Sequence, residues 1–183
     1  MLKLETEIIL YLERLKIIFL NKMIVVECIK DCDRINLFSE NIGPFKRGRT
    51  YKLPFWKIKP FFERNYFKIQ SKNEINSSLI QQFAENERDN TKLVKRQNDF
   101  FVEIKELKRL IKNKIENRIY PKEELIKFQL HLESLLHQRI SKIEKLATST
   151  PSIEIMGRLT DTEKILFKGF RSLIKDFKEF LLD

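Results

Sequence analysis

Four glycines, at positions 43, 48, 157 and 169, are all that this 183-residue chain contains. Neither a phosphate-cradling P-loop nor a dinucleotide fingerprint can be written with so few, because each needs several glycines within a short span. Nucleotide hydrolysis is therefore not expected of this chain. Histidine is almost as scarce. His131 and His137 are six apart on a predicted helix, which turns them to different faces, and no cysteine or acid completes a metal set around them. Both are expected on a helix surface. The only cysteines, Cys28 and Cys32, are too few for a disulfide framework and lack the second pair that a structural zinc site needs. They are expected to be reduced thiols in an intracellular protein. Glu123-Glu124, and Glu85 with Glu87, read as helix-surface charges and not as a positioned acid and base. Hence no catalytic residue, metal or cofactor is assigned.

Long apolar runs are missing too. Residues 1–22 contain Ile8-Ile9-Leu10, Leu12, Leu15 and Ile17–Leu20, but Glu5, Glu7, Glu13, Arg14 and Lys16 break the series. That is too interrupted to span a bilayer, and the early acids do not suit a secretory leader. The segment is expected to be an amphipathic helix. Docking on the rest of the chain or on a partner is the favoured role over lying on a membrane, because its polar face is of mixed sign.

What is plentiful is positive charge and apolar surface. Lys and Arg exceed Asp and Glu by ten, with a pI near 9.6, which favours nucleic acid or acidic proteins as partners. With 42% apolar residues the chain can bury a core as one medium domain or two small ones. Between residues 23 and 72 short alternating runs predict strands at Ile24–Cys28, Arg34–Phe38, Arg49–Leu53 and Tyr66–Gln70, with a helical turn or two in Trp56–Asn65. At their centre lies Ile42-Gly43-Pro44-Phe45-Lys46-Arg47-Gly48-Arg49-Thr50-Tyr51-Lys52-Leu53-Pro54-Phe55-Trp56. Glycine permits positive φ and proline fixes φ, so this stretch predicts a tight turn at the corner of a small sheet. Phe45, Leu53, Phe55 and Trp56 are expected to cover its apolar face.

The same region is lopsided in charge. Lys46, Arg47, Arg49, Lys52, Lys57, Lys59, Arg64, Lys68 and Lys72 face Glu63 alone, and Tyr51, Phe55, Trp56, Phe61, Phe62, Tyr66 and Phe67 lie among them. Basic strands with exposed aromatics could track phosphates and stack single-stranded bases. The alternative, preferred for a domain this small, is that the rings fill the core while the cations are solvated. Weak DNA contact through Lys46, Arg47, Arg49, Lys52, Lys57 and Lys59 is compatible with either.

After Lys72 the spacing becomes helical, with Ser71-Lys72-Asn73-Glu74 as linker. Leu79, Ile80 and Phe83 mark a first helix ending near Asn90; Phe100, Phe101, Ile104, Leu107, Ile111 and Ile115 mark a second. Asn113–Tyr120 breaks the pattern, Pro121 suits the first turn of a third helix carrying Leu125, Phe128, Leu132, Leu135, Leu136, Ile140, Ile143 and Leu146, and 147–157 reads as a loop. Thr160-Asp161-Thr162-Glu163 has the form of a capping box that opens the last helix. That helix bears Leu166, Phe170, Leu173, Phe177, Phe180 and Leu181, with Ile165, Phe167 and Ile174 off the line. So wide an apolar arc exceeds one packing partner. Ile165, Phe167, Phe170, Ile174, Phe177 and Leu181 are therefore expected at a subunit interface.

The spacing G-P-F-x-x-G-x-x-x-x-x-P-x-W, carried by Gly43, Pro44, Phe45, Gly48, Pro54 and Trp56, resembles the small β domain of GINS subunits, most of all the partner-of-Sld-five two branch and its archaeal relatives. The similarity runs upstream through Ile24-Val25-Val26, Asp33-Arg34-Ile35 and Leu37, and downstream from Arg64 to Ile69. It implies an α+β protein: an extension at 1–22, a small β domain at 23–72 and a helical domain at 73–183. It also implies a non-catalytic subunit of a GINS tetramer that, with the MCM ring and a RecJ-related or Cdc-forty-five-like protein, forms the replicative helicase complex. Ser39-Glu40-Asn41 stands where eukaryotic members often carry glycines, and the chain stops at Asp183 without a tail. Both suit a compact archaeal version in a two-plus-two assembly with one other subunit type, cytoplasmic and chromosome-associated, or nuclear in a eukaryote. A stand-alone basic nucleic-acid-binding protein is the alternative; a membrane-surface protein using residues 1–22 is the third.

Overall fold

Pro54 fixes the point where the sheet half turns from strand to helix. Its φ of −59° suits an N-cap, and the Phe55 N–H behind it donates to the Lys22 carbonyl at 2.9 Å. The computed structural model describes residues 2–36, 41–69, 76–118 and 121–182. In chain order these form α1 (Leu2–Leu20), β1 (Met23–Cys28), β2 (Ile35–Asn36), β3 (Asn41–Ile42), β4 (Thr50–Pro54), α2 (Phe55–Glu63) and β5 (Phe67–Ile69). Then come α3 (Ser77–Asp89), α4 (Phe100–Glu116), α5 (Lys122–Ala147), α6 (Ile153–Met156) and α7 (Asp161–Leu182). The chain is α+β, with small sheets followed by a helical bundle.

β1 is the middle strand of an antiparallel sheet ordered β4-β1-β5, with Val26 opposite both Tyr51 and Ile69. Ile24, Val26 and Cys28 point to one face and Met23 and Val25 to the other, as a two-residue repeat requires. β2 and β3 form a separate ribbon, and Phe45 exchanges both backbone bonds with Cys32 at 2.8 and 2.9 Å. The turn signals act as expected. Gly43 and Gly48 take φ of 93° and 77°, and a Cβ on Gly43 would come 3.2 Å from the Asp33 carbonyl oxygen. Phe45, once brought in, meets Tyr51, Phe61 and Phe67 with ring centroids 4.9, 5.6 and 5.0 Å away, all near edge-on.

Three differences from the sequence reading have simple causes. Trp56 does not cover the apolar face: α2 begins at Phe55, its 3.6-residue period puts Phe55, Ile58, Phe61 and Phe62 inside, and Trp56 is left 43% exposed. The loop at 147–157 contains the single turn α6, opened by Ser152, whose hydroxyl accepts from the Ile155 N–H. The second bundle helix runs on to Glu116, past the start of the expected break, with Arg118 at φ 58° closing it. The expected linker Ser71–Glu74, and Leu37, Phe38, Ser39 and Glu40, lie outside the described residues.

The sheet core does not end at the sheet. Phe19 of α1 and Val102 and Leu110 of α4 are buried in the same cluster as Val26, Phe45, Ile58 and Phe67. α4 meanwhile gives Phe100, Ile104 and Ile111 to a second cluster with Ile80, Phe128 and Leu135. Lys22–Asp99 (2.6 Å) and Lys59–Glu106 (2.7 Å) tie the same halves with charge. A third cluster joins Leu93, Ile143, Ala147, Leu159 and Phe167.

Candidate interaction surfaces

The position of α7 is set by a buried arginine. Arg139 lies on the apolar stripe of α5, four residues from both Leu135 and Ile143, and is 1% exposed. Its guanidinium donates to Glu87 of α3 at 2.7 Å, to both carboxylate oxygens of Glu163 of α7, and to the Val94 carbonyl at 2.9 Å. Burial works against this charge, but the two carboxylates outweigh it and hold the guanidinium above its usual range. Lys142 adds a second cation to Glu87 at 2.7 Å. Glu87 is thus fully buried, which corrects its reading as a helix-surface charge. Glu163 also closes the predicted capping box: its carboxylate accepts from the Thr160 N–H at 2.8 Å while the Thr160 hydroxyl accepts from the Glu163 N–H at 3.4 Å. One residue therefore starts α7 and clamps it to α5.

From that clamp α7 divides in two. Phe167 is 4% exposed and belongs to the chain's own core, so it is unavailable to a partner; Leu166, Phe170 and Ile174 pack against the same cluster and Ile165 is half-buried. Beyond them Leu173, Phe177, Phe180, Leu181 and Leu182 are 61–83% exposed. Five large apolar side chains in ten residues, solvated together, form the kind of patch that marks a protein contact. Nearer the clamp, an apolar cleft of about 390 Å³ opens between α4, α5 and α7, lined by Phe101, Leu136, Ile140 and Leu166 among others.

The basic face of the sheet half is partly used up. Lys46, Arg47, Arg49 and Lys52 are exposed. Lys59 turns inward to the buried Glu106, and the Lys57 ammonium lies 5.3 Å from the centre of the Trp56 ring. Phe55, Phe61, Phe62 and Phe67 are buried, with Tyr51 and Tyr66 packed on them, which leaves Trp56 as the exposed ring among the aromatics of this region. Most of the rings that a base-stacking platform would use are therefore core.

Cys28 is buried and Cys32 half-buried, both as free thiols. Burial pushes both thiols up, and the neighbouring carboxylates of Asp31 and Asp33 push Cys28 and Cys32 respectively further. Less thiolate than an ordinary cysteine offers means slower alkylation. Iodoacetamide labelling followed by mass spectrometry should find Cys28 at least about tenfold slower than a free cysteine at neutral pH, with rates rising only above the usual thiol range. His131 is half-buried and His137 exposed on α5. Among the described residues no three of His, Cys, Asp or Glu gather as metal ligands, and no helix is long and apolar enough to cross a membrane.

A rigid bundle clamped through its interior, ending in a helix whose outer half is apolar and bare, is an assembly subunit: it offers surface to another chain. Residues 74–181 match the family described as GINS complex protein, helical bundle domain. The match covers more than half of the chain, and the protein belongs to that family, with the role in the DNA-replication GINS complex that membership carries. No match was found among curated proteins.

Proposed function

We propose that the chain is a structural GINS subunit that scaffolds the replicative helicase, holding the MCM ring and a RecJ-related or Cdc-forty-five-like protein together without chemistry of its own. The observation that carries this reading is the exposed outer half of α7, Leu173 to Leu182, inside the residues that match the family. Its partner is a second GINS subunit type, in a two-plus-two assembly. Phe177 and Leu181 are the central contacts, with Phe170 and Ile174 at their inner edge. The motif from Gly43 to Trp56, folded as a turn that delivers Phe45 to its core, supports the partner-of-Sld-five two branch and a compact archaeal form. Lys46, Arg47, Arg49 and Lys52 add a weak DNA contact that falls away steeply with salt.

The test is light scattering of the chain alone and co-expressed with a candidate second subunit, in high salt. An apolar interface persists or strengthens there. A salt-resistant heterotetramer is the expected result. A monomer that ignores the candidate overturns the reading and leaves a free-standing nucleic-acid binder in its place.

A further inference from the structure

Helix α1 lies outside the matched family region and is apolar on nearly every side. A helix of that kind is normally covered all round. Its inner side is accounted for: Phe19 is buried, and Leu15 and Leu20 pack on the sheet core. Its outer side is not, since Ile9, Leu10, Ile17 and Ile18 are 58–65% exposed. At about 100° per residue, Leu10 and Ile17 lie seven apart and within roughly 20° of each other, the spacing of a coiled-coil seam. Between them in sequence come Glu13, roughly 60° to one side of Leu10, and Arg14, roughly 40° to the other. Arg14 makes no hydrogen bond or ion pair among the described residues, and Glu13 meets only Lys16, at 3.0 Å on the surface.

That face is complementary to itself. Two copies of α1 laid side by side and parallel about a two-fold axis bring Leu10 onto Leu10 and Ile17 onto Ile17. The acidic flank of each then meets the basic flank of the other, so Glu13 pairs with Arg14 twice. An antiparallel pair would instead set Glu13 against Glu13 and Arg14 against Arg14. We propose that the outer face of α1 is a homodimer surface whose occupant is the α1 of a second copy of this chain, in parallel. The surface does not depend on the GINS reading; combined with it, the contact supplies the like-with-like axis of a two-plus-two assembly. A 19-residue helix is only ~28 Å long, and its seam buries less than the ~800 Å² per partner of a standard interface, so the dimer is weak.

The test uses the full chain and two single variants, Glu13→Arg and Arg14→Glu, with circular dichroism to check that each folds. Sedimentation of the unsubstituted chain should show mass rising from 22.1 kDa toward twice that value as concentration increases through the range of about 1 to 100 µM. Each variant alone sets like charges against each other and should associate at least tenfold more weakly. Mixed one to one, they should regain the dimer, because one then carries two bases and the other two acids. Self-association through α7 would ignore both substitutions and sink the proposal. So would an unsubstituted chain that stays monomeric throughout, a mixture that fails to recover, or sedimentation with phosphatidylserine vesicles in place of pairing. Failure of α1 pairing leaves capture of a second GINS subunit through α7 unaffected, so the two readings fall separately.

Discussion

Arg139→Ala is expected to cost about 3–5 kcal/mol, because it removes the cation between two buried carboxylates and leaves both without their charge partner. Glu163 is 5% exposed and Glu87 0%, so water cannot replace the guanidinium without opening the bundle. Against a whole-domain stability of about 5–15 kcal/mol, the loss is enough to leave a large share of the protein unfolded at ordinary temperature. Urea unfolding followed by circular dichroism measures it. The triple variant E87Q/R139M/E163Q should recover much of the loss. Glutamine at both acid positions keeps an acceptor for the Val94 and Thr160 N–H groups, methionine fills the arginine's path, and no unpaired carboxylate remains. Lys142 keeps its bonds to the Glu87 and Lys92 carbonyls in that background. If Arg139→Ala unfolds like the parent, the buried network is not what holds α7 to α5.

The second large effect falls on assembly and spares the fold. Phe177 is 62% exposed and touches none of the three core clusters, so Phe177→Asp should leave monomer stability within about 0.5 kcal/mol of the parent. At the centre of an apolar interface the same change removes an aromatic anchor and buries a carboxylate. A loss of about 2–4 kcal/mol follows, or roughly 30- to 1000-fold in affinity for the second subunit. Burying the five exposed side chains of the α7 tail is worth about 1.5–3 kcal/mol each, while association itself costs about 4–15 kcal/mol. The tail alone is therefore only marginally sufficient, and losing one anchor is felt strongly. Titration calorimetry on folded variants reads the change. An unchanged affinity would move the partner's seat elsewhere on the bundle, the cleft beside Ile140 being the next place to look.

The helices were readable because periodicity is local. Leu79, Ile80 and Phe83, and the stripe from Leu125 to Leu146, needed no knowledge of what they pack against, and α3 and α5 carry them as expected. Gly43 and Gly48 were equally readable, since a requirement for positive φ depends on the residue itself. Trp56 was misplaced because a two-residue repeat was carried one position too far, across Pro54 into a helix. The charged core escaped notice for a different reason. Arg139 sits exactly where the α5 stripe calls for an apolar side chain, and Glu87 stands seven residues after Ile80 on the inner line of α3, so each broke a local pattern that could have been questioned. What no local pattern contains is the pairing: Glu87 and Glu163 lie 52 and 24 residues from Arg139, and only the folded bundle brings the three together. The exposed half of α7 was half legible. A wide arc announces surplus apolar surface, but which part the chain keeps for itself depends on where Leu93, Ile143 and Leu159 end up.

α4 is a beam loaded on both sides, with Val102 and Leu110 in one core and Phe100, Ile104 and Ile111 in the other. Such a beam transmits torque. A pull on the sheet half, from whatever it grips, cannot be absorbed by a hinge along α4, because bending the helix would open both cores at once. The load is passed through α5 to the root of α7. The sheet half and the bare tail of α7 thus behave as the two ends of one lever, and a machine that moved either would move both.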